Sequence, residues 1–140
     1  MIEQLDHVGI VVADLEASIA MYAERFNMTD PYREVLEDQN VEVVLFDVGP
    51  NHVELLRPLH PDTSCGRFLE KRGPGVHHVA YTVADIRASL AKLIAEGMDV
   101  LDPEPRRGVR GSQVAFIHPR SVGGVLTELI QQREPHQATQ

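Results

Sequence analysis

The chain has 140 residues, a length typical of one globular domain, with 43% apolar and 24% charged residues. No apolar run approaches the roughly 18–20 residues of a membrane span, and the N-terminus lacks the basic and apolar segments of a secretory signal. The formal net charge of −8 argues against a general nucleic-acid binder. The single cysteine, Cys65, excludes an internal disulfide and fits a reducing cytoplasm, where we expect the protein to reside.

The first half of the chain predicts a strand, a helix and two further strands. A buried strand is expected over residues 5–12, and Asp14 can cap the first amides of a following helix. Asn27 is a suitable left-handed C-cap for that helix. Apolar alternation predicts strands over residues 41–46 and 52–56. The apolar face of the helix comprises Leu15, Ile19, Tyr22, Ala23 and Phe26.

The second half repeats this plan. Asp85 caps a helix that Gly97 ends, and strand-like segments cover residues 113–118 and 125–130. The apolar face of this second helix comprises Ile86, Leu90, Leu93 and Ile94. Each half leaves room for one more short strand, around residues 30–35 in the first and 99–101 in the second.

We therefore predict an α+β protein with a single domain over residues 1–132. It consists of two βαβββ modules at about residues 3–58 and 75–131. A connector, residues 59–74, contains a short helix at 66–71. Residues 133–140 are polar and are expected to form a flexible tail.

The opening stretches of the two modules match each other without a gap, which indicates a duplicated structural unit. The positions that recur are His7, Val8, Val12, Ala13, Asp14, Ala17, Ser18 and Ala20, which return as His78, Val79, Val83, Ala84, Asp85, Ala88, Ser89 and Ala91.

Two glutamates also correspond between the modules, because Val53-Glu54-Leu55-Leu56 matches Thr127-Glu128-Leu129-Ile130. An ionised Glu inside an apolar strand is costly to bury unless it is paired or bound to a metal. Two imidazoles and two carboxylates without a thiolate suit one divalent cation, such as Co²⁺, Mn²⁺, Ni²⁺, Zn²⁺ or Fe²⁺. Among these we expect Co²⁺. The predicted metal ligands are His7, Glu54, His78 and Glu128.

Two other histidines lie close to these ligands in sequence. His77 aligns with Asp6, so strand alternation points it to the opposite face from His78. His52 is two residues from Glu54 and is interpreted as part of the rim of the site.

Paired modules with this quartet resemble the vicinal oxygen chelate, or glyoxalase, superfamily. The second half looks like the methylmalonyl-CoA epimerase family, and the resemblance covers roughly residues 3–131. It implies a curved mixed sheet that forms a cup around the metal, with helices on the convex face, and the same four ligands. The matching stretches are Glu54-Leu55-Leu56-Arg57-Pro58, Phe68-Leu69-Glu70-Lys71, Gly75-Val76-His77-His78-Val79-Ala80-Tyr81, Phe116-Ile117-His118-Pro119-Arg120 and Gly124-Val125-Leu126-Thr127-Glu128-Leu129.

The resemblance implies interconversion of (R)- and (S)-methylmalonyl-CoA by removal of the C2 proton through a metal-stabilised enolate. Proton carriers are then needed on both faces of the substrate, and Glu128 and Glu54 are the candidates. Some epimerases place a proposed catalytic Glu where this chain has Val43. The neighbouring Glu42 does not inherit that role, because a one-residue step in a strand changes the face.

An acyl-CoA substrate also requires contacts to the negative charges of coenzyme A. Arg106, Arg107 and Arg110 form a basic cluster in a Gly-rich loop, and Arg120 follows the His118-Pro119 pair. We predict that Arg106, Arg107 and Arg120 bind the substrate. The resemblance further implies a homodimer.

Other functions compatible with the pattern remain as alternatives. A glyoxalase I-like lyase acting on a glutathione hemithioacetal can use the same quartet, but its final turn usually reads Asp-Pro-Asp-Gly rather than His118-Pro119-Arg120. A metal-free small-molecule binding or resistance protein on this scaffold would have lost ligand residues. Extradiol dioxygenases normally use three ligands in a longer chain.

Overall fold

The computed structural model describes residues 1–134, in which eight strands and three α-helices follow the predicted order. Arg133 and Glu134 have no regular structure, and the rest of the predicted tail lies outside the described residues. No helix in residues 1–134 combines the length and apolarity needed to cross a membrane. The elements are β1 (Ile2–Val11), α1 (Leu15–Phe26), β2 (Tyr32–Leu36), β3 (Val41–Val48), β4 (Asn51–Pro58), α2 (Ser64–Arg72), β5 (Gly75–Val83), α3 (Ile86–Ala95), β6 (Arg106–Arg107), β7 (Gln113–Ile117) and β8 (Thr127–Gln131).

The chain divides into two compact units. The N-terminal unit is His7–His77, and the C-terminal unit combines Met1–Asp6 with His78–Gln140. The boundary therefore passes through β1 between Asp6 and His7, and through β5 between His77 and His78.

In the N-terminal unit the strand order is β2-β3-β4-β1, with β1 and β4 parallel and the other pairs antiparallel. Helix α1 begins where the Asp14 carboxylate accepts a hydrogen bond from the Ala17 amide, and it ends at Asn27 in the left-handed conformation, as predicted. Phe26 is 63% exposed, so its assignment to the apolar face was wrong. The helix covers a core that comprises Val12, Leu15, Val44, Phe46 and Leu55.

In the C-terminal unit the order continues from the first half of β1 through β5-β8-β7-β6, and β5 and β8 are parallel. Asp85 caps α3 as predicted, because its carboxylate accepts from the Ala88 amide. Ile94 is 45% exposed and does not belong to the buried face that was assigned to it. The core under this helix comprises Val83, Ile86, Leu90, Leu93, Ala115, Ile117 and Leu129.

The additional short strand was predicted correctly in one module only. Strand β2 falls close to the expected residues 30–35, but the segment 99–101 contributes only a single bridge between Val100 and Ile117. The additional strand of the second module is β6, which starts after Pro103 and Pro105. Proline has no amide hydrogen to donate to a strand ladder, so these residues delay the pairing with β7.

A network of ion pairs joins α1 to three strands of the N-terminal unit. Glu42 on β3 accepts hydrogen bonds from Arg57 on β4, at 3.0 and 3.2 Å, and from Arg33 on β2, at 3.1 Å. Arg33 also donates to Glu16 on α1 at 2.6 Å. The hydrogen bonds from Arg57 and then Arg33 hold the pKa of Glu42 below its ordinary value of 4.5.

Replacing Glu42 with Gln should lower the free energy of unfolding by about 1 kcal/mol at pH 7, since it removes a carboxylate with two guanidinium partners. A group with a depressed folded pKa stabilises fully above its unfolded pKa and stops stabilising as pH falls through the folded value. The difference between the wild type and E42Q should therefore persist down to about pH 4.5 and then decline as the pH falls through the lowered folded pKa of Glu42. Urea denaturation at pH 7 and pH 3 measures this.

The matched control is Glu24→Gln, which changes an exposed carboxylate on α1. It should leave stability unchanged at both pH values. A constant E42Q deficit from pH 7 to pH 3 would contradict the assigned role of the Glu42 carboxylate.

Candidate metal and substrate site

In the N-terminal unit the structure brings His7 and Glu54 together. The parallel register sets His7 opposite His52 and Gly9 opposite Glu54, so His7, Gly9 and Glu54 share one face of the sheet. The His7 Nε2 atom lies 3.4 Å from Oε1 of Glu54, and both side chains are buried. Because Gly9 has no side chain, the Glu54 carboxylate has space beside β1.

In the C-terminal unit His78 and Glu128 repeat this arrangement. Ala80 lies opposite Glu128, and His78 precedes Ala80 by two residues, just as His7 precedes Gly9. The His78 Nε2 atom lies 3.6 Å from Oε2 of Glu128, and both side chains are buried. Each unit thus presents one imidazole and one carboxylate beside a small residue. Gly9 and Ala80 occupy equivalent positions in the two modules, each opposite a glutamate. The sequence interpretation missed this feature, although both residues lie in the aligned repeat.

An aromatic side chain, Phe116, lies beside the His78–Glu128 pair. Phe116 on β7 lies opposite Glu128, and its ring meets the His78 ring edge-on at 5.3 Å between centroids. The carboxylate is therefore buried against apolar surface, which raises the cost of keeping it ionised unless a cation compensates. The sequence did not indicate Phe116 as a site residue, because its contact with the imidazole depends on the register of β7.

Three of the four predicted ligands form a group that could hold a metal ion. His7, Glu54 and His78 are buried, and each offers one ligand atom of a type that binds metal ions. Glu128 is 6% exposed and contributes the fourth donor of the predicted set. Imidazole nitrogen and carboxylate oxygen together suit Zn²⁺, Co²⁺, Ni²⁺, Mn²⁺ or Fe²⁺.

The two other histidines occupy different surroundings. The His77 Nε2 atom lies 3.0 Å from Ser64 Oγ, and its ring meets the edge of Phe68 at 5.4 Å, as expected for a side chain directed away from the His78 face. His52 lies opposite His7 in the register, and its Nδ1 atom is 3.0 Å from Asp47 Oδ1 without the alignment of a hydrogen bond.

The Val43 position is apolar and 1% exposed. Its neighbour Glu42 lies on the alternate face of β3, where it binds Arg33 and Arg57. A carboxylate with two guanidinium partners and a lowered pKa is a poor proton acceptor. The structure therefore gives Glu42 a stabilising role and leaves no carboxylate at position 43.

The predicted substrate-binding arginines all lie in the C-terminal unit. Arg106 and Arg107 form β6, where both are exposed, and Nε of Arg106 lies 3.2 Å from Asp102. Arg110 follows in the left-handed conformation, with φ at 58°. Arg120 lies in the 3₁₀ turn after β7, and its guanidinium pairs with Asp99.

The family model of the Glyoxalase/Bleomycin resistance protein/Dioxygenase superfamily matches residues 6–116, a segment that contains His7, Glu54 and His78. The chain belongs to this superfamily, which confirms the class of protein expected from the repeat.

Several similar proteins belong to a narrower group. The ethylmalonyl-CoA/methylmalonyl-CoA epimerase of Cereibacter sphaeroides is 38% identical over 133 residues, which cover 94% of this chain and 99% of the relative. The crystal structure of methylmalonyl-CoA epimerase from Mycobacterium tuberculosis matches with a TM-score of 0.93 and 35% identity, covering 98% of this chain and 93% of that one. A methylmalonyl-CoA epimerase in complex with methylmalonyl-CoA and NH4+ matches with a TM-score of 0.91 and 36% identity, covering 94% and 96%. The predicted α+β fold is thereby confirmed, and the chain is similar to methylmalonyl-CoA epimerases over nearly its whole length.

Proposed function

We propose that the protein interconverts the (R) and (S) forms of methylmalonyl-CoA by removing and returning the C2 proton. The observation that carries this proposal is the buried His-Glu pair, present once in each module of a chain similar to epimerases throughout. The C2 proton lies between a thioester and a carboxylate, so its removal leaves an enolate whose charge must be stabilised. Expectations of a homodimer and a cytoplasmic location stay predictions.

The proposed metal ligands are His7, Glu54, His78 and Glu128, holding one ion between them. The chain passes from one unit to the other at Asp6–His7 and again at His77–His78, so each crossing carries one of the proposed histidine ligands. When bound, the ion would act as a Lewis acid that stabilises the negative charge of the enolate. We place Co²⁺ first among the candidates.

The carboxylates of the site have two proposed tasks. Glu128 has two oxygens, of which Oε2 lies nearer His78, and we assign it to carry a proton at one face of C2. Glu54 is the candidate from the sequence for the opposite face, although its Oε1 lies near His7. The Phe116 ring, which meets the His78 ring edge-on, places an apolar surface beside this proposed proton carrier.

Arg106, Arg107 and Arg120 are proposed to bind the negative groups of coenzyme A. Arg106 and Arg107 are consecutive residues of β6, and both are exposed. Phosphate groups favour Arg because its planar fork can donate two parallel hydrogen bonds.

The direct test is an assay of the metal-loaded protein on each epimer of methylmalonyl-CoA in deuterium oxide, followed by NMR. Both epimers should exchange the C2 proton and interconvert. The same preparation is offered the glutathione–methylglyoxal hemithioacetal. Turnover of the hemithioacetal without C2 exchange on methylmalonyl-CoA would favour the glyoxalase I-like alternative and contradict the proposal.

Metal binding should raise the melting temperature of the metal-stripped protein. A ligand at 100 times its Kd stabilises the folded state by about 2.7 kcal/mol, and Co²⁺ is the probe. Glu128→Ala and Glu54→Ala should each lose most of this Co²⁺-induced shift, because each removes one proposed ligand. His60→Ala, which alters an exposed histidine in the connector, should keep the shift. An equal shift in all variants would contradict the assigned ligands.

Charge reversal on β6 should weaken substrate binding more than turnover. For the double variant R106E/R107E we expect KM to rise at least about tenfold, as for the loss of one charge-assisted hydrogen bond, while kcat changes little. Arg25→Glu, at an exposed position in the last turn of α1, is the control for net charge. An unchanged KM in R106E/R107E would remove these two residues from the substrate site.

A further inference from the structure

Epimerisation requires a proton carrier on each face of C2, and in the N-terminal unit the sequence indicated only Glu54 for this task. Glu42 is directed to the alternate face and bound by two arginines, and Val43 carries no ionisable group. Glu54 has its Oε1 near His7 and is already assigned to the metal. A further carboxylate on the same face of the strands as Glu54 could carry the proton, and Glu54 would then serve only as a metal ligand.

The register of β2 supplies such a carboxylate. Glu34 lies directly opposite Val43, and Val43 lies opposite Leu56 on β4. Residues paired across antiparallel strands direct their side chains to the same face of a sheet. Leu56 is two residues from Glu54, so Glu34, Val43 and Glu54 share one face.

Burial along β2 agrees with this assignment. Tyr32 and Glu34 are half-buried and Leu36 is buried, whereas the intervening Arg33 and Val35 are exposed. The alternation identifies the Glu34 side as the inner face of the strand. Glu34 is therefore half-buried on the inner face of β2.

A tyrosine orients the Glu34 carboxylate. The Tyr32 hydroxyl donates a hydrogen bond to Oε1 of Glu34 at 2.8 Å, and Tyr32 lies opposite Leu45, which in turn lies opposite Glu54. The hydrogen bond therefore ties one oxygen of Glu34 to Tyr32, which lies in line with Glu54 across the strands. Strands β2 and β4 are two strand spacings apart, roughly 10 Å between backbones, which leaves room for a substrate group between the two carboxylates.

We propose that Glu34, oriented by Tyr32, is the second proton carrier of the epimerase site. The inference rests on the proposed function. In one direction the Glu128 carboxylate accepts the C2 proton and the protonated Glu34 carboxyl donates a proton to the opposite face; the reverse reaction exchanges these roles. One proton is removed and one returned, so no further reactant is consumed.

The test is Glu34→Gln, assayed for C2 deuterium exchange and for inversion on each epimer separately. Interconversion should fall at least about 100-fold, the lower end of the contribution of a general acid or base. One epimer should still exchange its C2 proton without inverting, because Glu128 removes and returns a proton on the same face. The other epimer should no longer exchange. Loss of a merely structural residue would slow the exchange of both epimers together.

Three further variants sharpen the result. Tyr32→Phe should slow exchange of the same epimer by about tenfold, the effect of one lost hydrogen bond to a charged group. Glu54→Ala should slow exchange of both epimers and lose the Co²⁺-induced melting shift, whereas E34Q should keep that shift. Glu37→Gln, at an exposed position just after β2, should behave as the wild type.

Two results would overturn this assignment. In the first, E34Q interconverts the epimers at nearly the wild-type rate. In the second, E34Q slows exchange of both epimers equally. One-sided exchange in E54A together with normal inversion in E34Q would return the role to Glu54. A wild type that exchanges neither epimer would instead reject the proposed function, so the two failures are distinguishable.

Discussion

The burial of Glu54 and Glu128 is the constraint on which the rest of the structure depends. Removing a carboxylate from water costs several kcal/mol unless charge and hydrogen bonds compensate. Each glutamate has a histidine nitrogen within 3.6 Å and a residue with little or no side chain on the adjacent parallel strand, Gly9 or Ala80. The same local solution in both modules is the physical reason to expect a bound cation.

In each unit the helix and the glutamate lie on opposite faces of the strands. Helix α1 in one unit and α3 in the other cover the face opposite the glutamates, and both apolar cores form there. The helices are fixed by Asp14 and Asp85, which cap their first turns, and the Glu42 network adds a link from α1 to β2, β3 and β4. The face that bears Glu128 also contains a smaller buried apolar cluster, Ala80, Val114 and Ile130, so this face combines the proposed ligand residues with part of the core.

Much of this organisation could be predicted from the sequence because its causes are local. Helix caps depend on the conformation of a few neighbouring residues, and the repeat identified the two histidines and two glutamates. The ends of the helices were less predictable: helical spacing placed Phe26 and Ile94 on apolar faces, but each lies at the last turn, where the sheet no longer covers the helix. Glu34 escaped notice for a different reason. Spacing shows which residues of one strand share a face, whereas the residue opposite on the next strand depends on register.

The central claim is that two modules, each with one buried His-Glu pair, hold a single divalent ion. Metal content per chain tests it most directly, measured by calorimetric titration of the metal-stripped protein with Co²⁺ and checked by elemental analysis. The account predicts one ion per chain, with binding lost when either Glu54 or Glu128 is changed to Ala. Two ions per chain, with each variant retaining one, would show that the pairs act separately and would contradict the account.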